Sequence, residues 1–244
     1  MHPLSPSELL DAWERGLEER PTTRAVGLLA AAWPEVSAEA LAALSVGERD
    51  GRLLALREQT FGSRLSSLAV CAGCGERLEW TLDAADLRVA GSPAPVGELC
   101  LQADGYGARF RLPNSVDLTA IAACTEVEAA SRMLFERCLL AASREGQEVT
   151  AEELPAGVVE AIVKRMAEAD PQADATLELH CPACRHHWAA VFDIESFFWS
   201  EITTWAQRLL TEVHTLASAY GWRESDVLNL SPWRRQFYVA SIGA

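Results

Sequence analysis

Two short stretches carry the residues best suited to chemistry, Cys71-Ala72-Gly73-Cys74 and Cys181-Pro182-Ala183-Cys184. A CxxC turn aims two thiolates at one point, and two such turns supply the four ligands of a tetrahedral metal site with Zn–S bonds of about 2.3 Å. Each is followed by a run with strand character, Leu78-Glu79-Trp80-Thr81-Leu82 after the first and Trp188-Ala189-Ala190-Val191-Phe192 after the second. The paired knuckles predict one structural Zn²⁺ bound by Cys71, Cys74, Cys181 and Cys184. Such a site is closed, whereas a catalytic zinc keeps one position open for water.

Other chemistries of paired cysteines fit less well. A CxxC can be a redox pair, but the second matching knuckle and the lack of a βαβ pattern argue against it. A nucleobase deaminase needs Pro directly before its first Cys and an upstream His-x-Glu, and neither is present. His180, His186 and His187 crowd the second knuckle, where they are expected to cap sulfurs or face water because four thiolates already complete the shell. No Ser/His/Asp set, phosphate-binding glycine loop or metal-spaced carboxylate pair stands out, so a non-enzymatic role is expected.

Composition narrows the class further. The chain has 244 residues and a net charge of −14, from 35 acidic against 21 basic residues, which disfavours nucleic acid as a partner. Hydrophobic residues make up 49%, enough for a sizeable core. Beyond the four ligand candidates, Cys100, Cys124 and Cys138 read as buried free thiols in a reducing cytoplasm. No run approaches a membrane span and the N-terminus has no secretion-signal pattern, so a soluble, cytoplasmic protein is expected.

The elements that must position the cysteines follow from periodicity and caps, and they predict an α+β fold. Ser5-Pro6-Ser7-Glu8 opens a helix with Leu9, Leu10, Trp13 and Leu17 on one face. Thr23 to Trp33 forms a second helix. A cap at Ser45 opens a third, with Leu53, Leu54, Leu56 and Phe61 apolar, completing an N-terminal helical unit over residues 1–62. Residues 63–112 hold the first knuckle and strands, including a hairpin from Glu98 to Ala103 and Tyr106 to Leu112 around Asp104-Gly105, preceded by a loop at Gly91 to Pro95. Residues 113–170 read as a helical insertion: Val116 to Ala123, Thr125 to Ser143 with Val127, Met133, Leu134 and Leu140 as core, and Pro155 to Ala167. The second knuckle and its strand occupy 171–194. A helical C-terminal segment takes 195–244, led by a long helix from Ile194 to Ala219 that Gly221 caps.

Three features together resemble a known family: Leu56-Arg57-Glu58-Gln59-Thr60-Phe61-Gly62 ahead of a knuckle, the paired knuckles, and a tail from Tyr220 to Tyr238 containing Ser231-Pro232-Trp233-Arg234-Arg235-Gln236-Phe237-Tyr238. The chain is similar here, over Leu53 to Asp83 and Thr176 to Tyr238 but not the inserted block, to baseplate hub proteins of T-even-type phages and their relatives in phage-tail-like contractile injection systems. Arg185 departs from the Gly many zinc knuckles carry. The resemblance implies a structural role in building the baseplate, as component or assembly factor, with other baseplate, hub or spike proteins as partners, and it does not imply catalysis. The tail's Trp222, Trp233, Arg234, Arg235 and Tyr238 suit a protein-binding surface, and equally a helix docked on the protein's own core. A regulatory zinc-ribbon adaptor and a thiol redox enzyme are the alternative classes.

Overall fold

A computed structural model describes residues 2–89 and 97–242. The loop expected at Gly91 to Pro95 lies outside the described residues. The chain opens with four helices, α1 (Pro6–Gly16), α2 (Pro21–Ala32), α3 (Ala38–Ala42) and α4 (Val46–Phe61). Ser5 closes the expected capping box with Glu8. At α4 the Ser45 hydroxyl accepts from the Glu48 N–H. Leu17, expected on the apolar face of α1, is exposed, because the helix ends at Gly16 and the chain turns away before Leu17 reaches the core.

Strands β1 (Arg64–Val70) and β2 (Arg77–Asp83) form an antiparallel hairpin whose tip is the first knuckle. Side chains alternate across it as the period of two requires. Leu65, Trp80 and Leu82 face inward, while Ser66, Leu68 and Val70 stay exposed.

The segment between the knuckles builds a module of its own. Strands β3 (Leu99–Ala103) and β4 (Tyr106–Phe110) form the expected hairpin, with Asp104 and Gly105 both at positive φ, as its tight turn demands. Helices α5 (Ser115–Ile121) and α6 (Val127–Cys138) follow. Residues 139–144 correct the sequence reading: they form strand β5 (Leu139–Arg144), paired with β4 on one side and with β6 (Gln147–Val149) on the other. Their Leu and Ala content favours helix, but pairing with β4 overrides that weak preference. Glu145 and Gly146, both at positive φ, make the β5–β6 turn. Val127, Met133 and Leu140 are consequently exposed rather than core, and Leu134 is half-buried.

The resulting sheet, ordered β3-β4-β5-β6, crosses residue 112 and joins the hairpin at 99–110 to the following block. Helix α7 (Ala156–Ala169) covers it, burying Val158 and Ile162 against Leu99, Phe110 and Ala142. Of the remaining cysteines, Cys138 alone is buried, while Cys100 is exposed and Cys124 half-buried. Burial pushes the Cys138 thiol up to about 11, with the nearby Asp117 charge adding to the rise.

Strands β7 (Thr176–His180) and β8 (His187–Val191) form the second knuckle hairpin, followed by α8 (Ile194–Tyr220), α9 (Glu224–Leu228) and α10 (Pro232–Ser241). Helix α8 is the organising strut. Its first half, from Ile194 to Leu209, completes the core begun by α1, α2 and α4, joining chain ends far apart in sequence. Trp13 Nε1–H donates to Thr203 Oγ1 across this contact at 3.2 Å. Its second half packs Val213 and Leu216 on Val227, with Trp222 and Tyr238 alongside, and Gly221 ends it in the left-handed conformation.

Candidate metal centre and its supporting arginines

The two hairpins bring the four cysteine sulfurs together so that all lie within 4.8 Å of one another. Cys71 and Cys184 sulfurs are 3.6 Å apart, and Cys74 and Cys181 sulfurs 3.7 Å. Sulfurs at the corners of a regular tetrahedron with bonds of about 2.3 Å stand about 3.8 Å apart, so the cluster has the dimensions of a four-thiolate metal site. A disulfide would need about 2.05 Å, and all four cysteines are free.

The knuckles repeat each other bond for bond. Cys71 N–H donates to the Glu76 carbonyl at 2.9 Å and Gly75 N–H to the Cys71 carbonyl at 2.9 Å; Cys181 N–H donates to His186 at 2.9 Å and Arg185 N–H to Cys181 at 2.8 Å. Cys71 and Cys181 are buried, and Cys74 and Cys184 face outward. Gly75 has φ 76°, and Arg185, its counterpart, adopts φ 63°. The second turn thus keeps the shape a glycine would give, at the steric cost a side chain incurs there.

Protons and charge are unevenly shared within the cluster. The backbone N–H of Cys184, helped by those of Ala183 and by neighbouring sulfurs, lowers the Cys181 thiol to about 7. The N–H of Glu76 also lowers Cys74, but contacts with the Cys184, Cys181 and Cys71 sulfurs and desolvation overcome it and push Cys74 up to about 12. Four thiolates cannot ionise side by side without a cation to neutralise them. The three knuckle histidines lie outside the four-sulfur cluster: the His180 and His187 rings meet 4.4 Å apart, and His186 stacks on Trp188.

Behind the knuckles sits a residue the sequence did not single out as functional. Arg57, 2% exposed, donates from Nε and Nη2 to the Glu201 carboxylate at 2.8 and 2.6 Å, from Nη1 to the Gly62 carbonyl at 2.7 Å and from Nη2 to the Arg64 carbonyl at 2.9 Å. One planar guanidinium thereby locks α4, the entry to β1 and α8 into one arrangement. Its presence in the Leu56–Gly62 motif was the available signal. Around it, Phe61 packs edge-on to Phe198 and the Thr60 hydroxyl donates to the Leu56 carbonyl at 2.8 Å.

A second buried arginine, Arg49, ties the sheet module to the core. It donates to Asp50 at 2.9 Å, meets Glu195 at 2.5 Å and reaches the Ser115 hydroxyl at 3.3 Å. Burial raises Asp50 to about 6 despite Arg49, with Asp193 and Asp170 adding to the rise, since one cation serves two buried carboxylates. Asp170 accepts from the Gly47 N–H at 2.9 Å, and a Cβ at Gly47 would come within 2.1 Å of the same carboxylate. The α4 N-terminus therefore has an anionic partner from the far end of the inserted segment.

The C-terminal residues divide. Trp233 is 74% exposed and stacks on Phe237, with Arg234 exposed beside them. Trp222 and Tyr238 are half-buried and meet edge-to-face at 5.1 Å. Arg235 corrects its expected surface role: it is 4% exposed, donating to Glu212 at 2.9 Å and to the Leu230 carbonyl at 2.7 Å, and so ties α10 to α8 from within.

The four-cysteine cluster, carried on two hairpins and backed by a helical core, is a set of residues that could hold a metal ion. The family model described as T4 bacteriophage base plate protein matches residues 28–199, and the chain belongs to that family. The match runs through the sheet module, which the sequence resemblance had left aside, and stops before the C-terminal tail. No curated protein and no solved structure matches the chain. Among the described residues no helix is long and apolar enough to cross a membrane.

Proposed function

We propose that this chain is a zinc-stabilised, non-catalytic interaction protein of the baseplate hub, acting as a component or an assembly factor of a contractile tail or a related injection system. The observation that carries the reading is the four-sulfur cluster within 4.8 Å in a chain of the base plate family. Soft thiolates in a tetrahedral set select zinc or iron, and the closed shell with no general base beside it supports a structural Zn²⁺. Other baseplate, hub or spike proteins are its partners. Trp233 and Arg234 offer the outer contact, Trp222 and Tyr238 hold the helix that presents it, and Arg235 anchors that helix.

Electron microscopy of a strain lacking the gene tests the role. Loss of sheath-and-tube particles while their subunits are still made is expected, with rescue requiring Cys71, Cys74, Cys181 and Cys184 but tolerating change at His186 and His187. Normal particles in normal numbers overturn the assembly role. Elemental analysis of the purified chain is expected to give one zinc.

A further inference from the structure

We propose that the free edge of strand β1 is a docking site for an extended, acidic segment of another baseplate protein, which adds to the first knuckle hairpin as a third strand. The inference rests on the baseplate reading above and is independent of α10.

The direction of the β1 backbone decides which residues are available. The Ser63 carbonyl accepts from Ala84 N–H at 2.8 Å and Cys71 N–H donates to Glu76 at 2.9 Å, so odd-numbered residues point their backbone groups at β2. In a strand both groups of a residue point the same way in an antiparallel ladder, so even-numbered residues point away. Arg64 follows this rule, since its carbonyl is taken by Arg57 from the opposite side at 2.9 Å. The N–H and C=O of Ser66, Leu68 and Val70 continue that side, and among the described residues they meet no backbone partner.

Edges left open in this way are normally guarded by charge, proline or a bulge. The free edge of β2 carries Arg77, Glu79 and Asp83, and that of β7 carries Glu178 and His180. From Leu65 to Val70 β1 has no charged residue, no proline and an unbroken register, and Leu68 and Val70 are 58% and 61% exposed. It is therefore an unprotected template for strand addition.

Charge and shape name the occupant. A groove of about 650 Å³ runs between this strand and α8, lined by Arg64, Ser66, Ser67, Thr204, Trp205 and Arg208. Arg57 and Glu201 also line it and are already engaged with each other. Arg64 lies opposite Asp83 in the hairpin and acts on its carboxylate through space without closing a salt bridge, and Arg208 lines the groove from α8. A basic groove on a chain of net charge −14 selects a carboxylate, and the exposed Leu68 and Val70 select apolar side chains at alternate positions of the incoming strand.

The test uses the full-length chain supplied to the deletion strain. Leu68→Glu places on the free edge a negative charge that repels an acidic strand and leaves the β1–β2 ladder intact; Thr81→Glu places the same charge on β2. Leu68→Glu is expected to cut particle numbers at least ten-fold with metal content unchanged, and Thr81→Glu to restore them fully. A photocrosslinking benzoylphenylalanine at position 68 is expected to capture an acidic, extended segment of another baseplate protein, identified by mass spectrometry. Wild-type particle numbers with Leu68→Glu overturn the proposal, as does a crosslink to a second copy of this chain or no crosslink at all. Normal particles in the deletion strain would instead overturn the assembly role, so the two failures are distinct.

Discussion

The knuckle hairpins and the four-stranded module are both built from short antiparallel strands and tight turns, yet they are held by different forces. Along β1, β2, β7 and β8 Leu65 alone is fully buried, and the other inner positions are half-covered at best. The module, in contrast, buries Phe110, Val158 and Ile162 in a core of its own. Two-stranded hairpins bury too little apolar surface to be stable alone. Small β units thus need either a second layer, which α7 supplies to the module, or a central bond, which the four-cysteine cluster is placed to supply to the ribbon.

Metal removal should separate the two regions most sharply. Structural zinc carries an apparent binding free energy of about 10–16 kcal/mol that is also folding free energy. Chelation or Cys74→Ser is therefore expected to abolish amide protection in residues 64–83 and 176–191 while the module stays protected in hydrogen exchange. Equal loss in both regions would show that the module leans on the metal too. The site should also empty as pH falls, because protons compete with the metal for the thiolates.

A paired substitution comes next in size. Arg57→Ala removes the partner of Glu201 and frees two backbone carbonyls, and breaking such a buried pair costs about 3–5 kcal/mol. Phe110→Ala empties the module's core at a cost of about 3–5 kcal/mol. Urea unfolding should show both losses, but only Arg57→Ala should loosen the ribbon and weaken metal retention. Reduced retention in Phe110→Ala would mean that the regions are more tightly coupled than their separate cores imply.

Asp50 tests the junction between them. Its folded pKa, near 6, lies above its ordinary value of 3.8, so the folded state binds the extra proton between those values and stability falls as pH rises through that window. Asp50→Asn should therefore stabilise the chain by about 1–3 kcal/mol at pH 7 and by much less at pH 4. Denaturation at the two pH values checks the sign, and a loss of stability at pH 7 would show that the Arg49 contact outweighs burial.

The smallest effect is expected at the second knuckle. Arg185→Gly relieves a side chain held at positive φ and should stabilise the ribbon by about 1 kcal/mol, whereas Gly75→Ala should destabilise it by a similar amount. Thermal melts of the metal-bound chain read both.

Much of this architecture was legible without coordinates wherever a local pattern fixed the outcome. The CxxC spacings marked the cluster, Ser5 and Glu8 the start of α1, Asp104-Gly105 the first module hairpin, and the apolar stripe with Gly221 the whole of α8. These signals are decided by a residue and its neighbours within a few positions. Strand β5 was not legible, because Leu139 to Ser143 favour helix locally and become strand only when β4 pairs with them.

The sequence by itself therefore determined the four cysteines that cluster, most helices and their caps. Tertiary structure alone decided which charges go inside. Arg49, Arg57 and Arg235 look like surface residues in a chain with 23% charged positions, and each is buried because distant carboxylates or carbonyls converge on it: Glu195, Glu201 and Glu212 from α8. Burying a guanidinium is unfavourable until those partners are in place, and they arrive only when α8 packs against helices at both ends of the chain.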